Sequence, residues 1–86
     1  MKYHKYNNKI NIVGELIAKE RMKQGISYQE LSNKLQLIGV CLYKNDLFLI
    51  EKDKRMVRDF ELIAIIKTLK IDIKNINIII ENFENI

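Results

Sequence analysis

The chain of 86 residues has no proline, no tryptophan, three glycines, one cysteine and one histidine. Each shortage excludes something. A lone cysteine, Cys41, leaves no internal disulfide and no cysteine-rich metal site. His4 as the only histidine leaves no His/Cys cluster for zinc and no Ser/His/Asp set for nucleophilic catalysis. Three scattered glycines make no phosphate-cradling loop. No run of about 18 apolar residues occurs, so no membrane-spanning helix is expected. Residues 1–11 carry no apolar stretch ahead of a cleavage site, so no signal peptide is expected either. A chain of this length implies one domain with a small core. The expectation is a cytoplasmic, non-enzymatic protein without metal or cofactor.

Three residue types are abundant instead. Isoleucine, asparagine and lysine number 16, 9 and 12. Their codons are AT-rich, so abundance alone says little, and placement says more. Residues 1–58 hold 12 Lys/Arg against 6 Asp/Glu, a net +6; residues 59–86 hold 3 against 5, a net −2. Such segregation predicts a basic face toward a polyanion.

Apolar spacing and capping signals predict five short helices. Residues 1–10 have no period and read as a mobile basic arm ahead of a single domain over 11–86, with Lys2, Lys5, Tyr6 and Lys9 able to follow a groove. Asn11 is placed to cap a first helix over about 12–24, ended by Gly25. Ser27 and Glu30 form a capping box for a second over about 28–37, with Leu31 and Leu35 inward and Gly39 as breaker. A third spans about 43–51, with Leu47 and Ile50 inward. Asp59 is placed to cap a fourth over about 60–69, with Leu62, Ile63, Ile66 and Leu69 inward. Asp72 is placed to cap a fifth over about 73–83, although the β-branched run Ile76–Ile80 would also suit a short strand. Five helices with the second and third close together predict a helix-turn-helix arrangement.

The ordered residues resemble the phage-repressor and Cro-like (XRE-type) helix-turn-helix domain over residues 13–76. The match runs through Val13-Gly14-Glu15-Leu16-Ile17, Arg21, Gly25-Ile26-Ser27 and Glu30-Leu31. It continues through Leu42, Lys44, Leu47 and Ile50-Glu51, then Lys54-Arg55, Val57, Asp59, Glu61-Leu62, Ile65-Ile66-Lys67, Leu69 and Ile71. The resemblance implies an all-α, compact five-helix lambda-repressor-like fold and a sequence-specific DNA-binding regulator. Departures stand at several positions. The stretch between Leu35 and Leu42 is longer, which reads as an extended second helix. Tyr28 replaces the usual Gln, Phe48 and Leu49 the usual Ser and Lys/Arg, and Asp53 and Lys70 the usual glycines after the third and fourth helices.

The resemblance also implies roles. Arg21 and Glu51 would pair to hold the recognition helix against the first helix. Tyr43, Lys44 and Asn45 would open the recognition helix and face the major groove, where Lys suits a phosphate or guanine edge and Asn suits adenine. Asp46 beside them would accept from cytosine or simply favour the helix dipole. Lys54, Arg55 and Arg58, with the start of the fourth helix, would hold backbone phosphate. Tyr28 and Gln29 would form a second phosphate clamp. Phe48 and Leu49 admit three readings: core residues covered by a longer second helix, a face for a protein partner, or apolar contact to a thymine methyl.

The stripe Ile73, Ile76, Ile79, Ile80, Phe83 and Ile86 exceeds what docking a terminal helix needs. Ile76, Ile79, Ile80 and Phe83 are therefore expected to bury against a second copy, giving a dimer suited to two half-sites. The functional expectation is a small dimeric repressor acting by operator occupancy on double-stranded DNA. Its rival is a helix-turn-helix scaffold reused as a protein-binding inhibitor or antirepressor, motivated by Asp46, Phe48 and Leu49.

Overall fold

Local capping chemistry sets the helix boundaries in the computed structural model, which describes residues 5–84. Five helices follow in order: α1 Gly14–Lys23, α2 Tyr28–Leu37, α3 Lys44–Glu51, α4 Asp59–Leu69 and α5 Ile73–Glu81. Among the described residues there is no strand, only an isolated bridge between Tyr6 and Lys9. The protein is a small all-α domain. The run Ile76–Ile80 is helical.

Side chains close the helix starts. Asn11 Oδ1 accepts from the backbone N–H of Val13 at 3.1 Å and Gly14 at 2.7 Å, covering orphan donors ahead of α1. Ser27 Oγ accepts from Glu30 N while the Glu30 carboxylate accepts from Ser27 N, a complete capping box. Asp72 accepts from Lys74 N. Asp59, expected as the cap of α4, is instead its first residue. Arg58 occupies the cap position, and its N–H donates to Glu61 at 2.9 Å.

The ends of α1 to α4 share one device. A residue in the left-handed region follows the last turn, and the next N–H reaches back five residues to a free carbonyl. Gly25 and Gly39 serve α1 and α2, with φ of +67° and +84°. Asp53 and Lys70 serve α3 and α4, with φ of +60° and +53°. The returning bonds are Ile26 N to Arg21 O, Val40 N to Leu35 O, Lys54 N to Leu49 O and Ile71 N to Ile66 O. The positions where glycine was missed from the sequence thus keep the glycine conformation.

The core is built from Ile17 of α1, Leu31 and Leu35 of α2, Leu42 of the connection, Leu47 and Ile50 of α3, and Ala64, Ile65 and Leu69 of α4, with Ile71 after it. α2 packs on α3 and α4, and α1 on α3 and α4. The connection 38–43 is held from inside: buried Ser32 donates to Leu42 O at 2.7 Å, and Gln36 donates to Ser32 at 3.0 Å. Two burial expectations are corrected. In α4, Ile63 is exposed and Leu62 and Ile66 are only half-buried, while Glu61, Ala64 and Ile65 face inward with Leu69. In α5 no residue is fully buried; Ile76 leans on the core, and Asn75 donates to buried Glu20 of α1 at 2.8 Å.

Residues 5–10 are held against the domain. Asn7 and Asn8, both at positive φ, make a tight turn whose flanking Tyr6 and Lys9 exchange backbone hydrogen bonds. The Tyr6 ring stacks on Phe83 at 4.5 Å. Asp53 Oδ1 accepts from Ile10 N at 2.8 Å and Asn11 N at 2.9 Å. Lys5 is exposed on this docked segment, and Tyr6 is half-buried. Lys2, His4 and Ile86 lie outside the described residues.

Candidate nucleic-acid interface

The position of α3 is set by α1. Gly14 lies so close to the last turn of α3 that a Cβ there would sit 2.4 Å from the Ile50 carbonyl oxygen. Asn11 Nδ2 donates to that same carbonyl at 3.0 Å and to Arg55 O at 2.9 Å. Arg21 completes the clamp. Its Nε and Nη2 donate to the two Glu51 oxygens at 2.7 and 3.0 Å, and Nη1 donates to Ile26 O at 2.9 Å. The Glu51 hydrogen bond raises the Arg21 pKa against the opposing effect of desolvation.

Tyr28 joins this cluster. Its hydroxyl donates to Glu51 at 2.9 Å, and the Arg21 guanidinium lies 4.0 Å over its ring. Burial, then the Glu51 hydrogen bond, pushes the phenol above its usual range. The one donor hydrogen of Tyr28 is therefore spent inside the protein. Gln29 remains exposed, bonded to Asn33 of its own helix at 2.8 Å.

The N-terminal turn of α3 stands at the surface. Tyr43, the cap residue, and Lys44 and Asn45 are all exposed. Asp46 folds back on its helix, accepting from Tyr43 N at 2.9 Å. Its other oxygen lies 3.6 Å from Arg55 Nε. That contact brings the loop after α3 alongside the turn that opens it. Asp46 thus satisfies a helix terminus and a cation together, and its charge is largely spent locally.

Arg55 is held by α4 as well. Nη1 and Nη2 donate to the two Glu61 oxygens at 3.0 and 3.1 Å, and Nη1 also to Met56 O. Glu61 is 3% exposed. Burial pushes its carboxyl up, but the hydrogen bonds from Arg55 and Arg58 N, with the two guanidinium charges, outweigh burial and hold it below the usual carboxylate range. Arg58 extends outward with its side chain 70% exposed and Nη1 3.9 Å from Glu61. Lys52 and Lys54 are exposed too. Of the three cations expected to face phosphate, Lys54 and Arg58 are presented to solvent, and Arg55 is half-buried in a bidentate pair.

Phe48 and Leu49 are not core residues, which corrects the first of their three readings. Phe48 is 41% exposed and Leu49 half-buried. The Phe48 ring meets Tyr28 edge-on at 6.0 Å, and Lys52 Nζ lies 5.7 Å from its centroid. Of the residues expected at a dimer face, Ile76 and Ile79 are half-buried on their own chain, Phe83 is stacked on Tyr6, and Ile80 stands out to solvent.

Sequence reasoning missed two features. Asp53 stands where a glycine is usual, but its carboxylate also ties down residues 10 and 11; nothing in the local pattern marks a contact over 40 residues. The exposed apolar group Leu37, Ile38, Phe60 and Ile63 was also missed. Leu37-Ile38, two apolar residues directly before Gly39, was the available signal.

Among the described residues no group of His, Cys, Asp or Glu is arranged to hold a metal, and no helix is long and apolar enough to cross a membrane. No family model, curated protein or solved structure matches the chain.

Proposed function

We propose that the protein is a sequence-specific DNA-binding regulator, a small dimeric repressor acting by operator occupancy. In this reading α2 and α3 form a helix-turn-helix of the phage-repressor type, and α3 enters the major groove by its N-terminal turn. The observation that carries it is the surface of that turn. Lys44 and Asn45 are exposed, Asp46 is drawn back onto Tyr43 N and Arg55, and exposed Lys54 and Arg58 follow in the same loop. The acid that would repel phosphate is thus occupied, while cations able to position a duplex backbone stay available. Arg21, Glu51 and Tyr28 are positioning residues that hold α3 at a fixed angle. Phe48 and Leu49 would approach a thymine methyl from the same helix.

The test is a mobility shift on random duplex DNA at low and moderate salt. Binding at low salt that weakens steeply with added salt is expected, because cation–phosphate contacts release counterions. Absence of binding at low salt would sink the reading. The exposure of Phe48 favours a second reading, a scaffold that binds a protein through the Phe48/Leu49 face. If Phe48→Ser with Leu49→Lys strengthens DNA binding, that face is not tuned for DNA and the second reading gains.

A further inference from the structure

An exposed apolar group outside the proposed DNA face lies where the α2–α3 connection meets α4. Ile38 and Val40 of the connection and Phe60 and Ile63 of α4 line one shallow groove, bounded by Asp59 at one end and Lys67 at the other. Ile63 is 63% exposed and Phe60 54%, and Leu37, next to Ile38, is 86% exposed. Contiguous exposed apolar surface is a candidate interaction site.

The charge pattern selects the occupant. Asp59, Ile63 and Lys67 follow one another at i, i+4 and i+8, so they form a single ridge on α4. The acid and the base stand equally far from Ile63, about 6 Å along the axis to either side. Such a ridge is its own complement when reversed. We propose that this face pairs two copies of the chain about a two-fold axis through Ile63. The α4 helices run antiparallel, Ile63 meets its counterpart at the axis, and each Asp59 faces Lys67 of the other copy. Phe60 of each copy enters the groove edged by Ile38 and Val40 of the other. An isologous interface requires this self-complementarity, and a foreign partner would not. The face is distinct from the α5 stripe, and the pairing would form whether or not either copy binds DNA.

Sedimentation equilibrium of the full chain tests this, with far-UV circular dichroism as the folding control. The native chain is expected to dimerise. Ile63→Glu should give a folded monomer, because two carboxylates would meet at the axis, and Ile80→Glu should leave the dimer intact. Asp59→Lys alone places like charges at both ends, and so does Lys67→Asp alone. Each should weaken self-association by about tenfold. An equimolar mixture of these two variants should recover the native affinity as a heterodimer, which also shows both are folded. A native chain still monomeric at about 1 mM overturns the proposal. So does a dimer lost by Ile80→Glu but kept by Ile63→Glu, and so does a mixture no tighter than its components.

Discussion

Arg21 and Glu51, thirty positions apart, meet in a two-pronged ion pair with N···O distances of 2.7 and 3.0 Å. Their side chains are 11% and 3% exposed, so neither charge is well hydrated. Removing Arg21 leaves the Glu51 charge with Tyr28 alone. Arg21→Ala should therefore cost about 3 kcal/mol, toward the lower end for a buried pair that keeps one other partner. In a domain of this size the melting temperature should fall by more than about 10 °C. Tyr28→Phe removes one neutral donor to a charged acceptor and should cost about 1.5 kcal/mol. An unchanged melting temperature for Arg21→Ala would mean the pair contributes nothing.

Gly14 and Gly25 are glycines for different reasons, and substitution should separate them. A Cβ at Gly14 collides with the Ile50 carbonyl, which is backbone and cannot swing aside. At Gly25 nothing lies within 4 Å, and only the left-handed φ resists a side chain. Gly25→Ala should cost about 1–2 kcal/mol, the steric penalty of that conformation. Gly14→Ala forces α1 and α3 apart and should cost about 1–3 kcal/mol by overpacking. Only the Gly14 variant should also disturb α3, read as faster amide exchange in Leu47–Glu51.

Lys70 and Asp53 hold the same strained backbone, with different compensation. Among the described residues no side-chain bond of Lys70 offsets the strain, so Lys70→Gly should stabilise the protein by about 1 kcal/mol, raising the melting temperature about 4–8 °C. Asp53→Gly relieves the same strain but removes the acceptor for Ile10 N and Asn11 N. Its melting temperature should not rise, and amide exchange at Ile10 and Asn11 should quicken. A gain equal to that of Lys70→Gly would show that the Asp53 carboxylate is idle.

Glu61 makes stability fall in acid. Its folded pKa lies below the usual carboxylate range, so the unfolded chain takes up its proton first as pH drops. The contribution is complete above the unfolded value of about 4.3 and is lost as pH falls through the folded value. Urea midpoints measured from pH 6 down to about pH 2.5 should decline through that window. Glu61→Gln should start lower and show a shallower decline; an unaltered slope would assign the acid sensitivity elsewhere.

If α3 reads DNA, its residues should divide by readout. Lys44→Ala and Asn45→Ala should cost about 1–3 kcal/mol on the preferred sequence and little on random duplex. Arg58→Ala should weaken all sequences alike and reduce the salt slope by about one. Fluorescence anisotropy at several salt concentrations measures both. Uniform losses for all three variants would mean that the turn touches only backbone.

Helix ends were legible in the sequence because capping is local. Ser27 with Glu30, Asp72, Gly25 and Gly39 each act within about five residues, so spacing alone exposes them. The inward face of α4 was not legible. Leu62, Ile63, Ile65 and Ile66 make most of its circumference apolar, and a period cannot be phased when neighbouring positions are alike. Packing against α2 resolved it, burying Ala64 and Ile65 and leaving Ile63 outside. The role of Asp46 was likewise hidden: a carboxylate in a first turn is expected at a helix start, but the approach of Arg55 depends on where the loop returns.

The sequence by itself determined the helical class, the approximate helix spans and a core of evenly spaced leucines and isoleucines, because these rest on periodicity and short-range hydrogen bonds. Tertiary structure decided which charges remain available. Arg55 looks like any other cation in a basic stretch, yet buried Glu61 of the next helix binds it; for Arg21, the family resemblance and not composition or spacing pointed to Glu51. Lys44 and Lys54 stay on the surface, and Arg58 touches Glu61 only at 3.9 Å with its side chain 70% exposed. Long-range approach of side chains, which composition and spacing do not encode, separates the cations that hold the fold from those that can meet a partner.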